Sequence, residues 1–132
     1  VVVAVAGVWM VVHFSKAGRG DPRLIGAWRS DADATFAELR KSRPVTDEQE
    51  QKLRTVFGHL KVTYTDTIFT TDFDGAVASQ PYQVISKDAT SVVIETKSPL
   101  SGQDEPVRIR FIGNDMYWVE FEGAGECFRR VN

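Results

Sequence analysis

From Lys61 onward the chain alternates apolar and polar residues with a period of two, the pattern of strands with one buried face. Val62 and Tyr64 alternate with Lys61, Thr63 and Thr65, and Phe69, Thr71 and Phe73 alternate with Thr70 and Asp72. Tyr82 and Val84 form a further segment, followed by Val92 and Ile94, then Val107, Ile109 and Phe111 between Arg108 and Arg110. Tyr117, Val119 and Phe121 alternate with Trp118, Glu120 and Glu122, and a last segment runs from Cys127 to Val131. Turn signals separate these segments at Asp74-Gly75, Lys87-Asp88, Gly113-Asn114-Asp115 and Gly123 to Gly125. With Gly26-Ala27-Trp28 as the first strand, the pattern predicts a mainly β chain of about eight strands in an up-and-down antiparallel meander. Such a sheet removes its exposed edges by closing into a barrel. Closure would bring Trp28 on the first strand against Arg129 or Arg130 on the last.

Between the first two strands the period changes. Thr35-Phe36-Ala37-Glu38 and Thr46-Asp47-Glu48-Gln49 both have capping-box form, which predicts two helices with Thr35 and Thr46 as their N-caps. The first must stop before Pro44, because the residue preceding proline avoids helical geometry. In the second, Leu53, Val56, Phe57 and Leu60 recur at helical spacing, and Gly58 is placed to end it in a left-handed cap. Glu48, Glu50, Gln51, Lys52 and Arg54 form its solvated side. His59 follows, where a cation interacts favourably with the helix dipole.

Ahead of the meander, Val1 to Phe14 is almost wholly apolar and uncharged. It is shorter than the ~20 residues that span a bilayer as a helix. The chain opens on Val rather than Met, so an upstream piece is expected. Residues 1–17 are therefore expected to be either a secretory signal, with Ser15 and Ala17 as the small residues before a cleavage point, or a membrane anchor. No cysteine follows this run, so a bacterial lipid-anchor site is absent. The predicted location is extracytoplasmic (periplasmic or secreted) or membrane-anchored through the N-terminus. Lys16 to Arg23 (KAGRGDPR) reads as linker, residues 18–23 in the division adopted, and residues 24–132 form one β-barrel domain.

Charge removes one class of partner. The chain holds 16 Lys and Arg against 18 Asp and Glu, and the residues after Arg23 carry 13 against 17. A mildly acidic body lacks the clustered cations that bind phosphates, so nucleic acid is not a predicted partner. Cys127 is the only cysteine, which excludes an intramolecular disulfide and a thiolate zinc cluster. Asp72-Phe73-Asp74-Gly75 opens like a calcium loop, but position 83, where a bidentate Glu belongs, holds Gln. Glu120 and Glu122 share a face, the one opposite the apolar face. No metal site, cofactor or catalytic constellation is predicted, and haem is disfavoured because no His falls on the inward face.

Gly26-Ala27-Trp28 resembles the Gly-x-Trp of the calycin group, which includes lipocalins and fatty-acid-binding proteins. The resemblance implies that a basic residue on the last strand, Arg129 or Arg130, packs over Trp28 at the closed end, making Gly26, Trp28, Arg129 and Arg130 the barrel-closing set. The helix pair between the first two strands looks like the lid of the fatty-acid-binding proteins. Leu24 to Val131 as a whole resembles small, largely uncharacterised lipocalin-like proteins of bacteria. The internal Arg-x-Tyr carboxylate clamp of the fatty-acid-binding proteins is not evident near the C-terminus.

Alternation assigns Trp28, Val62, Tyr64, Phe69, Phe73, Tyr82, Val84, Val92, Ile94, Val107, Ile109, Phe111, Tyr117, Val119 and Phe121 to the interior, with Phe128 at the margin of the set. An eight-stranded barrel can be filled by such side chains or hold one small ligand. Tyr64, Tyr82 and Tyr117 would be the polar handles of a cavity and Phe111 part of its wall, because buried phenols seek hydrogen-bond partners. Trp118 falls on the outward face, a candidate partner surface if it lies in an apolar patch. Two readings stay open. One is a non-enzymatic protein binding a small apolar molecule beneath the helices, and the other is an envelope scaffold or inhibitor with a filled core that acts through its outer surface.

Overall fold

The alternating segments form the expected strands, and the last returns to the first. The computed structural model describes residues 20–97, 102–121 and 124–131. Among these, β1 (Gly26–Ser30), β2 (Leu60–Tyr64), β3 (Ile68–Phe73), β4 (Ala76–Lys87), β5 (Ser91–Lys97), β6 (Asp104–Ile112), β7 (Met116–Phe121) and β8 (Ala124–Arg130) pair antiparallel in sequence order. β8 pairs with β1, closing the barrel. Helices α1 (Ala32–Ser42) and α2 (Asp47–Leu53) connect β1 to β2. The apolar segment 1–17 lies outside the described residues, so the structure adds nothing to the expectation for it; among the described residues no helix is long and apolar enough to cross a membrane.

The hairpin turns follow local chemistry. Asp74 and Gly75 both take positive φ, and the Asp72 carboxylate accepts the Gly75 N–H at 2.8 Å, holding β3 and β4 in a two-residue loop. The calcium-like run is thus a hairpin turn. Gly113 also has positive φ in the turn before β7. Of the expected Gly123 to Gly125 turn, Gly123 lies outside the described residues, whereas Gly125 is already in β8 opposite Glu120.

The helices differ from expectation in three ways. Asp31, not Thr35, caps α1: its carboxylate accepts the Ala34 N–H at 3.0 Å. Thr35 is released for another task. β1 stops at Ser30, which leaves the backbone of Cys127 without a strand partner on the β1 side; Thr35 Oγ1 accepts the Cys127 N–H and the Asp31 N–H donates to the Cys127 carbonyl, both at 2.9 Å. Thr46 does form the expected capping box with Gln49. However, α2 ends at Leu53, where the chain tightens into three-residue turns (Thr55 N to Lys52 O, Val56 N to Leu53 O) that break the helical stripe. Val56 is consequently 52% exposed, and Leu60 belongs to β2. Gly58, with φ of 93°, ends these turns rather than the helix.

Two cores result. The interior holds Leu24, Trp28, Val62, Tyr64, Tyr82, Val84, Val92, Ile94, Val107, Ile109, Tyr117, Val119 and Phe128, with Leu60, Phe69 and Phe111 packed against them. A second cluster lies outside the wall, where Phe36 and Leu39 of α1 cover Trp118 and Cys127. The helix pair sits where a lid would be inserted, but α1 packs on the outer face of β7 and β8. Phe73 corrects the interior set: it is 41% exposed, because the end of the β3–β4 hairpin projects beyond the packed interior. The side chain of Phe121 lies outside the described residues.

Candidate functional site

Directly paired residues in an antiparallel sheet point to the same face, so the register identifies every inward position. Trp28 pairs with Val62, Val62 with Thr71, and Thr71 with Ala78. Val84 pairs with Ile94, Ile94 with Val107, and Val119 with Glu126. These chains of pairs divide the interior into two halves of different character.

The lower half, toward the start of β1 and the end of β8, is filled. Arg130 lies over the Trp28 ring, 4.2 Å from its centroid, and its guanidinium donates to the carbonyls of Ile25 (3.0 Å) and Arg23 (2.8 Å). The Trp28 indole N–H donates to the Leu24 carbonyl at 2.8 Å. Arg130 is thus the closing cation. Arg129 points outward and pairs with Asp31 at 2.9 Å. Gly26 stands where a Cβ would come within 3.1 Å of the Arg130 guanidinium, and its φ of 122° suits glycine alone. Arg23 completes the plug by gripping Asp21 with two donors, at 2.8 and 3.0 Å, and stacking over Phe111.

The three tyrosines meet on top of this plug. The Tyr64 and Tyr117 hydroxyls share a hydrogen bond of 3.1 Å, and the Tyr82 hydroxyl donates to the Thr65 carbonyl. Tyr117 also packs between Trp28 (4.7 Å) and Phe128 (5.1 Å). Burial pushes the Tyr64 and Tyr117 phenols well above their ordinary range and Tyr82 up to about 12, so all three are neutral donors or acceptors near neutrality. Their hydroxyls are satisfied within the protein, which makes them a floor rather than free handles. Phe111 is not brought to this group as a cavity wall. It faces a surface pocket of about 420 Å³ at the closed end, beside Arg23, Arg130 and the Gly113–Asp115 turn.

The upper half differs. Ala78 is inward by register yet exposed, as is Phe73, and the inward Leu60, Thr71, Gln80, Thr96 and Glu105 are only half-buried. Small and polar residues here leave the inner face of the wall in contact with solvent. Among the described residues Ala76–Pro81 pairs only with β3, since β4 first meets β5 at Tyr82 and Thr96. A pocket of about 240 Å³ opens at that divergence, lined by Tyr82, Gln83, Glu95 and Thr96 among others. The result is a cup with an aromatic floor.

Glu126 stands on the cup wall. It shares the inward face with Val119 and Phe128, is half-buried, and accepts a short hydrogen bond from the Ser30 hydroxyl. Ser30 Oγ in turn accepts the Gly58 N–H at 2.8 Å. Burial raises the Glu126 carboxyl above its usual range despite that bond. Sequence reasoning missed Glu126 by starting the last strand at Cys127, although counting back two from Phe128 would have found it. Ala78 and Gln80 were missed because small residues before Pro81 resemble a turn more than a strand.

Trp118 does not lie in an exposed apolar patch. α1 covers it to 8% exposure, and its indole N–H donates to Glu120 at 3.0 Å. Cys127 is fully buried beside it, with burial pushing its thiol up to about 11. His59 accompanies the end of the helical turns, its Nε2 3.2 Å from the Arg54 carbonyl and its Nδ1 3.3 Å from Asp74. Among the described residues no group of three or more His, Cys, Asp or Glu is arranged to hold a metal.

No protein-family model matches the chain, and no curated protein matches it. Among solved structures it is similar to a lipocalin-like protein from Bacteroides uniformis ATCC 8492, at 16% identity over 83% of this chain and 99% of that one, with a TM-score of 0.44. The chain's own architecture is a closed eight-stranded antiparallel barrel with helices between its first two strands and Trp28 of the first strand under Arg130 of the last, and in this it resembles a small lipocalin-like barrel.

Proposed function

We propose that the barrel binds one small, largely apolar molecule in its upper half, without catalysis. One observation carries this reading: inward-facing residues of β3 and β4, Thr71, Ala78 and Gln80, remain in contact with solvent while the floor beneath them is close-packed. An eight-stranded barrel has room for a single small ligand, and the plug confines that ligand to the open end. The apolar run Val1 to Phe14 supports placing this activity outside the cytoplasm or at a membrane surface. Trp118, the outward residue named as a candidate partner surface, is covered by α1, which favours the interior over that spot as the place of binding.

Native mass spectrometry of the gently purified full chain tests the proposal. The expected result is a one-to-one adduct, either co-purified and released on denaturation or formed on adding long-chain alcohols or isoprenoids. A bare mass under all of these conditions would remove the binding reading.

A further inference from the structure

We infer that the cup selects cationic amphiphiles, an apolar body carrying an amine, and discriminates against fatty acids. The inference rests on the binding reading and specifies the ligand's polar end. An apolar molecule lying in the upper half passes Glu126, the carboxylate fixed on the wall by Ser30, which is itself held by the Gly58 N–H. The other charged residues in inward register among the described ones are Glu105, opposite Thr96, Arg130, and Lys87, which pairs with Val92 beyond the β4 bulge and is exposed at the closed end, away from the cup. Arg130 is below the floor with its guanidinium committed to Trp28, Ile25 and Arg23, so it cannot reach a ligand. Among the described residues the inward face of the cup therefore presents carboxylates and no available cation; Lys97, which also lines the pocket at the β4–β5 divergence, is in outward register opposite Asp104. A ligand ammonium would gain a charge-assisted hydrogen bond there. A ligand carboxylate would meet like charge in a partly desolvated site and find no cationic partner on the described inward face. The Tyr64–Tyr117 pair adds no charge, since both phenols are neutral, and their hydroxyls are bonded to each other.

Titration calorimetry of the full chain with dodecylamine, dodecanol and dodecanoate, all below their micelle thresholds, tests this. Dodecylamine is expected to bind at least ~10-fold tighter than dodecanoate, the ratio that one hydrogen bond to a charged group supports. Glu126→Gln should bring the two within about threefold, because the amide keeps the Ser30 contact without the charge. If that variant does not fold, the salt dependence of the wild-type ratio reads the same charge, and the ratio should shrink as salt rises. Dodecanoate binding as tightly as the amine, a preference unchanged in Glu126→Gln, or a ratio insensitive to salt would overturn the inference while leaving the binding reading intact. Failure of all three molecules to bind would overturn the reading beneath it, and the inference with it.

Discussion

Arg130 and Arg129 are neighbours with opposite fates. Arg130 covers an indole and satisfies two carbonyls at the end of the barrel, whereas Arg129 makes one exposed ion pair with Asp31. Arg130→Ala should cost about 2–3 kcal/mol in urea unfolding, combining a cation–π contact with lost charged hydrogen bonds. Arg130→Lys should recover only part of this, because an ammonium lacks the planar fork that reaches both carbonyls. Arg129→Ala should cost less than about 1 kcal/mol. Composition and spacing placed a cation at this end without choosing between the two. The choice follows from register, since Arg130 shares a face with Phe128 and Trp28. Glu126 was hidden by the same uncertainty of one strand boundary. Its carboxyl is raised by burial, so the folded state holds the proton more tightly than the unfolded chain does. That stabilisation is complete below the unfolded pKa and is lost as pH rises through the raised folded value. Asp31 acts in the opposite sense: burial pushes its carboxyl up, but bonds from the Ala34 N–H and Arg129 outweigh this and hold it low, so its contribution is lost as pH falls. In urea titrations across the acid to neutral range, wild type minus Glu126→Gln should therefore lose stability as pH rises, with the Asp31 effect cancelling. A flat difference would contradict the buried position of Glu126.

At the scale of elements, α1 is held by what the barrel wall lends it. Phe36 and Leu39 lie on Trp118 and Cys127, and Thr35 fills the hydrogen bond that β1 is too short to make. Gly125 makes this possible, because a Cβ there would lie 1.9 Å from the Trp118 ring. Gly125→Ala should displace the indole and destabilise the fold by roughly 1–3 kcal/mol, with a change in tryptophan emission. Phe36→Ala should cost about 3–5 kcal/mol by emptying the same cluster. Unchanged emission in Gly125→Ala would show that the helix does not cover Trp118. The existence of both helices was legible, because the Thr46 capping box and Pro44 are strong local signals. The start of α1 was not, since Asp31 and Thr35 both suit a cap and only the tertiary demand of Cys127 decides between them. Nor was the face α1 covers: Trp118 lies opposite the interior, and periodicity of one strand cannot say that a helix packs behind it.

For the molecule as a whole, strand number, order and closure could be read in advance because each hairpin carries its own turn chemistry and each strand its own alternation. Whether the interior is filled could not, because this depends on how far neighbouring strands are staggered. Among the described residues β4 spends its first half against β3 and its second against β5, which pulls the wall apart above Tyr82 and separates an aromatic lower half from an accessible upper one. That division is what a ligand would report. Backbone amide shifts of the full chain titrated with dodecanol measure it directly. The structure predicts movement at Thr71, Ala78, Gln80, Thr96 and Glu126, with the Gly113–Asp115 turn at the closed end unmoved. No shifts, or shifts confined to that turn and Phe111, would contradict a binding cup above a filled floor.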